Sequence, residues 1–196
     1  MYRGRPHTYI QVGRPTQIQV GRPFRGAAAP RYPARVVVIL IGVAGSGKTT
    51  IGRALARQLA WRFVEGDDYH SPESIAKMRD GTPLNDSDRL PWLARLHAVA
   101  AAAIDRREHA VIACSALKQR YRDLFRGTLR GVRFVYLKTD EPTLRARLEQ
   151  RRQHFAGPKL LASQLADLEE PGDALTIDAT SASDDIVKAV RYEFGL

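Results

Sequence analysis

Residues 36–50 read VVVILIGVAGSGKTT, an apolar run followed directly by a glycine-rich loop. The run is continuous and mostly β-branched, which is typical of a strand buried on both faces of a sheet. The loop that follows has the spacing G-x4-G-K-T, and residues 47–60 beyond it have the pattern of a helix. This spacing between a strand and a helix predicts a phosphate-binding loop, the P-loop.

The chemistry expected of this loop follows from its residue types. Glycines let the backbone curl so that successive N–H groups point at phosphate oxygens, and the positive end of the helix dipole adds to them. Lys48 is predicted to be catalytic by reaching the β and γ phosphates of ATP, and the Thr49 hydroxyl to ligate Mg²⁺. The predicted nucleotide-binding residues are Gly42, Val43, Ala44, Gly45, Ser46, Gly47, Lys48, Thr49 and Thr50. The competing interpretation is a glycine turn that merely contains a lysine.

Strands and helices are predicted to alternate along the rest of the chain. The further strands are expected at residues 63–64, 110–113, 133–137 and 173–178. Helices are expected at residues 72–79, 88–107 and 117–129, from 141 onward, and at 184–194, with Asp86 or Ser87 as the cap of the second of them. Such alternation implies a parallel sheet with right-handed crossovers. We therefore predict an α/β, three-layer P-loop NTPase fold, with a five-stranded parallel sheet flanked by helices and ligands at the carboxyl ends of its strands.

Residues 1–34 differ from the rest of the chain. They are rich in Arg, Pro and Gly, contain IQVGRP twice, and no Asp or Glu precedes Glu65. Because Gly and Pro break helix and strand periodicity, we predict a disordered extension at 1–34 and a single kinase-sized domain at 35–196. The formal net charge of +10 owes much to this segment. Contact between such a basic tail and nucleic acid is the alternative, but no nucleic-acid partner is expected.

Overall composition points to a soluble globular chain, with 44% hydrophobic and 27% charged residues. No apolar run approaches the roughly 18 residues that a membrane span needs. The single cysteine, Cys114, cannot form an internal disulfide, which fits a reducing compartment. A cytoplasmic location without membrane contact is the expectation, and Cys114 is interpreted as a small buried residue.

Candidate acceptor groups begin after the second strand, where residues 65–70 read EGDDYH. A carboxylate beside an attacking hydroxyl can orient it and accept its proton. Asp67 is the predicted catalytic base, although Asp68 remains a rival because both follow the same strand. Asp68 and Ser71 also suit capping of the next helix. His70 is a candidate for binding the acceptor, with a structural role equally compatible.

Further polar groups occur in two other predicted loops. Charged residues surround the turn at 81–84, and Cys114-Ser115-Ala116 follows the third strand. Cations of this kind would bind a carboxylate of a small acceptor, and carboxylates would accept from its hydroxyls. The additional predicted substrate-binding residues are Lys77, Arg79, Asp88, Arg89, Ser115 and Lys118. Trp92 is interpreted as a core residue rather than a platform for a sugar.

Arginines cluster late in the chain, at 145, 147, 151 and 152. Arg147 and Arg151 are four residues apart and so share a helix face. Positive charge on a mobile segment can stabilise a transferring phosphoryl group and help exclude water. Both residues are therefore candidate catalytic groups, while a solvated basic face is the alternative.

Taken together, these stretches resemble the gluconate kinases of the P-loop, nucleoside-monophosphate-kinase-like class. The resembling strings are GVAGSGKT (42–49), EGDDYH (65–70), KMRDGTPLNDSDRLPWL (77–93), CSALKQRYRD (114–123) and RLEQRRQHFAGPKLLASQLADLEEP (147–171). The resemblance implies phosphorylation of D-gluconate to 6-phosphogluconate by ATP with Mg²⁺, and a helical lid carrying Arg147 and Arg151. It also implies that Asp67 lies near the acceptor, and it makes a homodimer an expectation. Asp68 and the Arg-rich extension depart from the family pattern.

Two alternatives remain open from the sequence. A shikimate kinase also phosphorylates a small hydroxy acid, but a Gly-Gly-Gly turn would be expected where this chain has Cys114-Ser115-Ala116. A nucleic-acid-binding NTPase would instead use the basic extension, and its binding would be sensitive to salt.

Overall fold

Parallel strands covered by helices make up the part of the chain that the computed structural model describes, residues 9–10, 35–150 and 158–196. The strands are β1 (Tyr9–Ile10), β2 (Val37–Ile41), β3 (Arg62–Glu65), β4 (Ala110–Ala113), β5 (Val132–Lys138) and β6 (Leu175–Asp178). The helices are α1 (Lys48–Leu59), α2 (Pro72–Arg79), α3 (Asp86–Asp105), α4 (Gln119–Arg126), α5 (Glu141–Glu149), α6 (Pro158–Asp167) and α7 (Ser183–Phe194), with a 3-10 turn at Gly66–Tyr69.

The order of strands in the sheet is β1-β6-β5-β2-β4-β3, and every pair is parallel. The chain leaves β2 for β3 and β4 on one side, and then crosses to β5 and β6 on the other. This reversal opens a crevice at the carboxyl end of β2, which is where open α/β sheets bind ligands. The five predicted strands and the flanking helices are confirmed.

A sixth strand, β1, was not predicted, so the expectation of five strands was incomplete. Tyr9 pairs with Thr176 and Ile10 with Ile177 at the edge of the sheet. Two residues give no readable alternation, and the surrounding Gly and Pro argue against a strand. The other residues of the extension lie outside the described part of the chain, and the predicted disorder of 1–34 stays a prediction.

Strand β2 is buried on both faces, as its apolar run predicts. Its odd-numbered residues share a core cluster with Leu93, Leu96 and Phe125 of α3 and α4. Its even-numbered residues share a second cluster with Leu55 of α1 and Val190 of α7. The period of two along the strand therefore divides the core into two layers.

A third apolar cluster lies beside the P-loop rather than under the sheet. Val43 of the loop packs there with Met78 of α2, Leu144 of α5 and Leu161 of α6. This cluster fixes α6 over the carboxyl edge of the sheet. Residues 151–157 between α5 and α6 lie outside the described residues, and so the predicted lid and its Arg151 are not located. None of the described helices is both long and apolar enough to cross a membrane.

The start of α3 differs from the expected one. Asn85 is the cap, and not Asp86 or Ser87: its side chain accepts from the Asp88 N–H at 3.0 Å, while the Asp88 carboxylate accepts from the Asn85 N–H at 3.1 Å. This reciprocal capping box satisfies two N–H groups at once, which gives Asn85 an advantage over its neighbours. The predicted Ser71 cap of α2 is confirmed by a 3.1 Å bond from the Ser74 N–H.

Candidate active site

The P-loop curls at the end of β2 through three glycines with positive φ, Gly42 at 144°, Gly45 at 85° and Gly47 at 96°. Space also demands glycine at the first of them. A Cβ on Gly42 would lie 2.8 Å from Ser46 Oγ and 3.0 Å from the Leu137 carbonyl oxygen. The loop is thus a tight backbone cradle of the kind that phosphate binding requires.

Helix α1 begins with its first N–H groups unoccupied by side chains. Gly47 is the cap, no side chain caps the helix, and its first turn contains no acidic residue. The buried Ser46 hydroxyl has no hydrogen-bond partner. Uncapped amides at a helix N-terminus and a buried unsatisfied hydroxyl fit an anion, and a nucleotide polyphosphate matches this donor set.

The Lys48 side chain folds back onto the same loop. Its ammonium donates to the carbonyl oxygens of Gly42 and Val43, each at 2.9 Å. The positive charge is therefore held beside the amides that would bind phosphate. The contact with phosphate that is predicted for Lys48 stays a prediction.

A hydroxyl and a carboxylate, those of Thr49 and Glu65, meet at one corner of the cleft and form a pair of oxygen groups that suits a cation. The Thr49 hydroxyl hydrogen-bonds the Glu65 carboxylate, whose pKa is raised by burial and by Asp67, against the opposing effects of Thr49 and Lys48. Oxygen donors of this type suit Mg²⁺, which usually takes few protein ligands and completes its shell with phosphate oxygens and water. The described residues contain no cluster of three or more His, Cys, Asp or Glu that could hold a metal by itself.

Glu65 was missing from the predicted site, although it begins the quoted EGDDYH string. Its position at the last residue of β3 was the available signal, because carboxyl ends of parallel strands meet at the ligand crevice.

Four of the eight predicted substrate-binding residues line the cavity beside the P-loop. Asp67, His70, Arg89 and Ser115 line the same cavity as Lys48 and Thr49. Arg89 is only 9% exposed, whereas Asp68 is exposed to solvent. The structure thus brings cationic, acidic and neutral polar groups together beside the P-loop.

His70 is held by an aromatic stack. Its ring lies 4.3 Å from the Trp92 ring, nearly parallel to it, and Trp92 Nε1 donates to the Gly66 carbonyl at 2.7 Å. Burial lowers the pKa of His70, as do Arg95 and Arg89, although Asp67 opposes them. Trp92 is a core residue, as predicted, and it also lines the cleft. This lowered pKa favours the neutral ring, whose nitrogens are suited to hydroxyl groups.

The other predicted substrate residues are not among those that line the cavity. Lys77 pairs with Asp88 at 2.6 Å, and Asp88 is engaged in the α3 capping box. Arg79 is exposed at the end of α2. Lys118 pairs with Asp167 at 3.0 Å. A role for these four residues in binding the acceptor stays a prediction.

A second cavity adjoins the P-loop on the side of α1 and α7. It is lined by Gly45, Gly47, Thr50, Ser181 and Ser183, together with Arg147. Arg147 donates to the Gly45 carbonyl at 3.3 Å and to the Ala179 carbonyl at 2.8 Å. Arg147 belongs to α5 and contacts the loop directly, so it lies beside this second cavity and not among the residues that line the first, and its catalytic role stays a prediction.

Helix α6 forms part of the wall of the cleft, a position that the sequence did not predict. Leu160, Ser163 and Gln164 line the cavity, and Gln164 Oε1 accepts from the Ala44 N–H of the P-loop at 2.6 Å. Tyr121 of α4 is a further lining residue that the sequence did not reveal. Cys114 is buried, as predicted, and burial raises the pKa of its thiol to about 12.

Fold and site together define a P-loop kinase of small molecules. Residues 37–171 match a family model described as an AAA domain. A gluconokinase of Gluconobacter oxydans (strain 621H) is 45% identical over 136 residues, which is 69% of this chain and 76% of that protein. The chain belongs to the gluconokinase family.

Solved structures agree with this assignment. The crystal structure of a gluconokinase from Sinorhizobium meliloti 1021 is 40% identical and aligns with a TM-score of 0.69, covering 81% of this chain and 89% of that one. A shikimate kinase from Bacteroides thetaiotaomicron aligns with a TM-score of 0.62 at 22% identity, covering 82% and 99% respectively. At 22% identity, the similarity to the shikimate kinase shows the fold alone.

Proposed function

We propose that this protein transfers the γ-phosphoryl group of ATP to the 6-hydroxyl of D-gluconate, giving 6-phosphogluconate and ADP. The observation that supports it best is one cavity shared by the P-loop residues Lys48 and Thr49 and by the acceptor groups Asp67, His70 and Arg89. Phosphoryl transfer needs mainly alignment of the two reactants and stabilisation of charge, which such a cavity provides. Membership of the gluconokinase family names the acceptor.

ATP would be held by the amides from Gly42 to Thr49, with Lys48 moving from the Gly42 and Val43 carbonyls to the β and γ phosphates. Mg²⁺ would be held by the Thr49 hydroxyl, which can keep donating its hydrogen bond to the Glu65 carboxylate. When bound, the cation neutralises charge that develops on the phosphate oxygens. The second cavity beside Thr50 and Arg147 would take the nucleoside.

Gluconate would lie on the wall of the first cavity that is opposite the P-loop. Arg89 carries a guanidinium suited to a carboxylate, which it can bind through two parallel N–H groups. His70 and Ser115 offer neutral polar atoms to the hydroxyls. Asp67, which lines the cavity, would orient the attacking hydroxyl and accept its proton, while exposed Asp68 is less suited to that role.

An ADP-release assay with purified protein tests the function. Turnover should depend on ATP, Mg²⁺ and gluconate, and it should be at background with shikimate or without an acceptor. Oxidation of the product by 6-phosphogluconate dehydrogenase identifies the phosphorylated position. Turnover with shikimate but not with gluconate would overturn the proposed acceptor.

A cytoplasmic location and a homodimer belong to the same proposal. Light scattering after size-exclusion chromatography measures the mass in solution, and a value of one 21.9 kDa chain would contradict the dimer.

A further inference from the structure

Asp167, the last residue of α6, bridges two cations at the wall of the acceptor cleft. Its Oδ2 accepts from Arg89 NH1 at 2.6 Å, and its Oδ1 lies 3.0 Å from Lys118 Nζ. Arg89 is deeply buried and is the one of these three residues that lines the cavity. One carboxylate thus sets the position of both cations relative to each other.

The carboxylate itself is held in place by its surroundings. One turn earlier on α6, Gln164 accepts from the Ala44 N–H of the P-loop. Just beyond α6, the Glu169 N–H donates to the Leu117 carbonyl at 3.0 Å, and Arg122 NH2 donates to the Glu169 carbonyl at 2.9 Å. The end of α6 is therefore anchored to the P-loop and to the segment before α4, which contains Lys118.

Electrostatics explain why the two cations need this partner. A buried guanidinium loses its hydration and requires a nearby anion, and two neighbouring cations repel each other unless an anion lies between them. Arg89 has five N–H donors, of which Asp167 takes one, and Tyr121 also hydrogen-bonds the guanidinium. The hydrogen bond to Asp167 can therefore fix the guanidinium while leaving other N–H groups for an acceptor carboxylate.

We propose that Asp167 is a positioning residue for recognition of the acceptor's carboxylate, acting by holding the guanidinium of Arg89 at the cleft wall and the ammonium of Lys118 beside its own carboxylate. This inference rests on the proposed phosphorylation of gluconate. It assigns Asp167 no contact with the substrate. Its effect is on which acceptors bind, and not on the transfer of the phosphoryl group.

The test compares Asp167→Asn with the wild-type protein on gluconate and on its neutral amide, gluconamide. Losing the charge of Asp167 should raise KM for gluconate about tenfold, which is the scale of one charge-assisted hydrogen bond. The kcat value and KM for ATP should stay within about twofold of wild type. Preference for gluconate over gluconamide should fall by the same factor of about ten.

Two further variants separate positioning from general damage. Asp173→Asn removes a carboxylate that pairs with Arg126, away from the cleft, and should leave both acceptors unaffected. Asp167→Glu keeps the charge and should retain most of the preference for gluconate. The inference is overturned if Asp167→Asn leaves KM for gluconate unchanged or lowers it, or if Asp167→Glu loses the preference equally. Wild-type protein inactive on gluconate would instead refute the proposed function.

Discussion

Lys48 of the P-loop would have to exchange its hydrogen-bond partners when a nucleotide binds. Lys48 donates to two carbonyls of its own loop, and a polyphosphate offers its ammonium a stronger, anionic acceptor. Lys48→Ala should therefore lower kcat by a factor of at least about 100, as expected for loss of one charged donor to a transition state. Steady-state ADP release measures this effect, and circular dichroism checks the fold.

Lys188 in α7 provides the matched control for Lys48. Its side chain is 74% exposed and its contact is with Asp185 of the same helix. Lys188→Ala should therefore retain wild-type kcat. Normal activity in a folded Lys48→Ala protein would contradict the assigned role of the P-loop lysine.

The two adjacent carboxylates of the EGDDYH string can also be separated at this scale. Asp67 lines the acceptor cavity and Asp68 is exposed, so only Asp67 is placed to accept a proton from the acceptor. Asp67→Asn should reduce kcat by about 100-fold or more, within the range for general-base catalysis. Asp68→Asn should stay within about twofold, because a solvated surface carboxylate contributes little. The reverse ranking in the same kinetic assay would make Asp68 the base.

Among the structural elements, the end of β3 packs so closely against the end of β4 that a glycine is required at position 66. A Cβ on Gly66 would overlap the Ala113 carbonyl oxygen and press on Leu96 of α3. Gly66→Ala should therefore cost about 2 kcal/mol in the free energy of unfolding, because backbone has to move. Chemical denaturation measures this loss. Gly127→Ala is the control, since a Cβ there meets only the Asp123 carbonyl at 3.2 Å, and an equal loss in both variants would contradict the argument.

Elements with strong local signals could be predicted from the sequence, while those made by distant contacts could not. The apolar run of β2 and the loop after it carry their information within about fifteen residues. Asn85 was missed as a cap because Asn, Asp and Ser stand in succession at 85–87 and all suit that position. The docking of α6 on the P-loop was missed because it depends on Gln164 meeting Ala44, 120 residues earlier.

The residues of the candidate site also fall into those that could be predicted from local sequence and those that depend on distant contacts. Residues directly after strands, such as Asp67 and Ser115, could be predicted because topology alone brings them to one edge. Lys77 and Asp88 have the right charges, but they pair with each other at the ends of α2 and α3. Charge type can be read from a sequence, whereas the partner that satisfies it depends on tertiary packing.

At the scale of the whole molecule, the described cleft is built entirely from residues after position 35. In the segment before it, the described strand β1 pairs with β6 through two residues at the edge of the sheet. The P-loop follows β2, which is separated from β6 by β5. Activity and the N-terminal extension should therefore be separable.

Deleting residues 1–34 should leave kcat/KM for gluconate within about twofold of the full chain, because the described residues that line the cleft all follow position 35. A small decrease in Tm is expected, since two residues of edge pairing are lost and with them a few backbone hydrogen bonds. The same pair of proteins tests the nucleic-acid alternative by fluorescence anisotropy with a labelled RNA at several salt concentrations. Six arginines leave with the extension, so binding that depended on them would disappear and would weaken steeply with salt in the full chain. Loss of gluconate phosphorylation on deletion would show instead that the extension belongs to the working enzyme, and the boundary at residue 35 would be wrong.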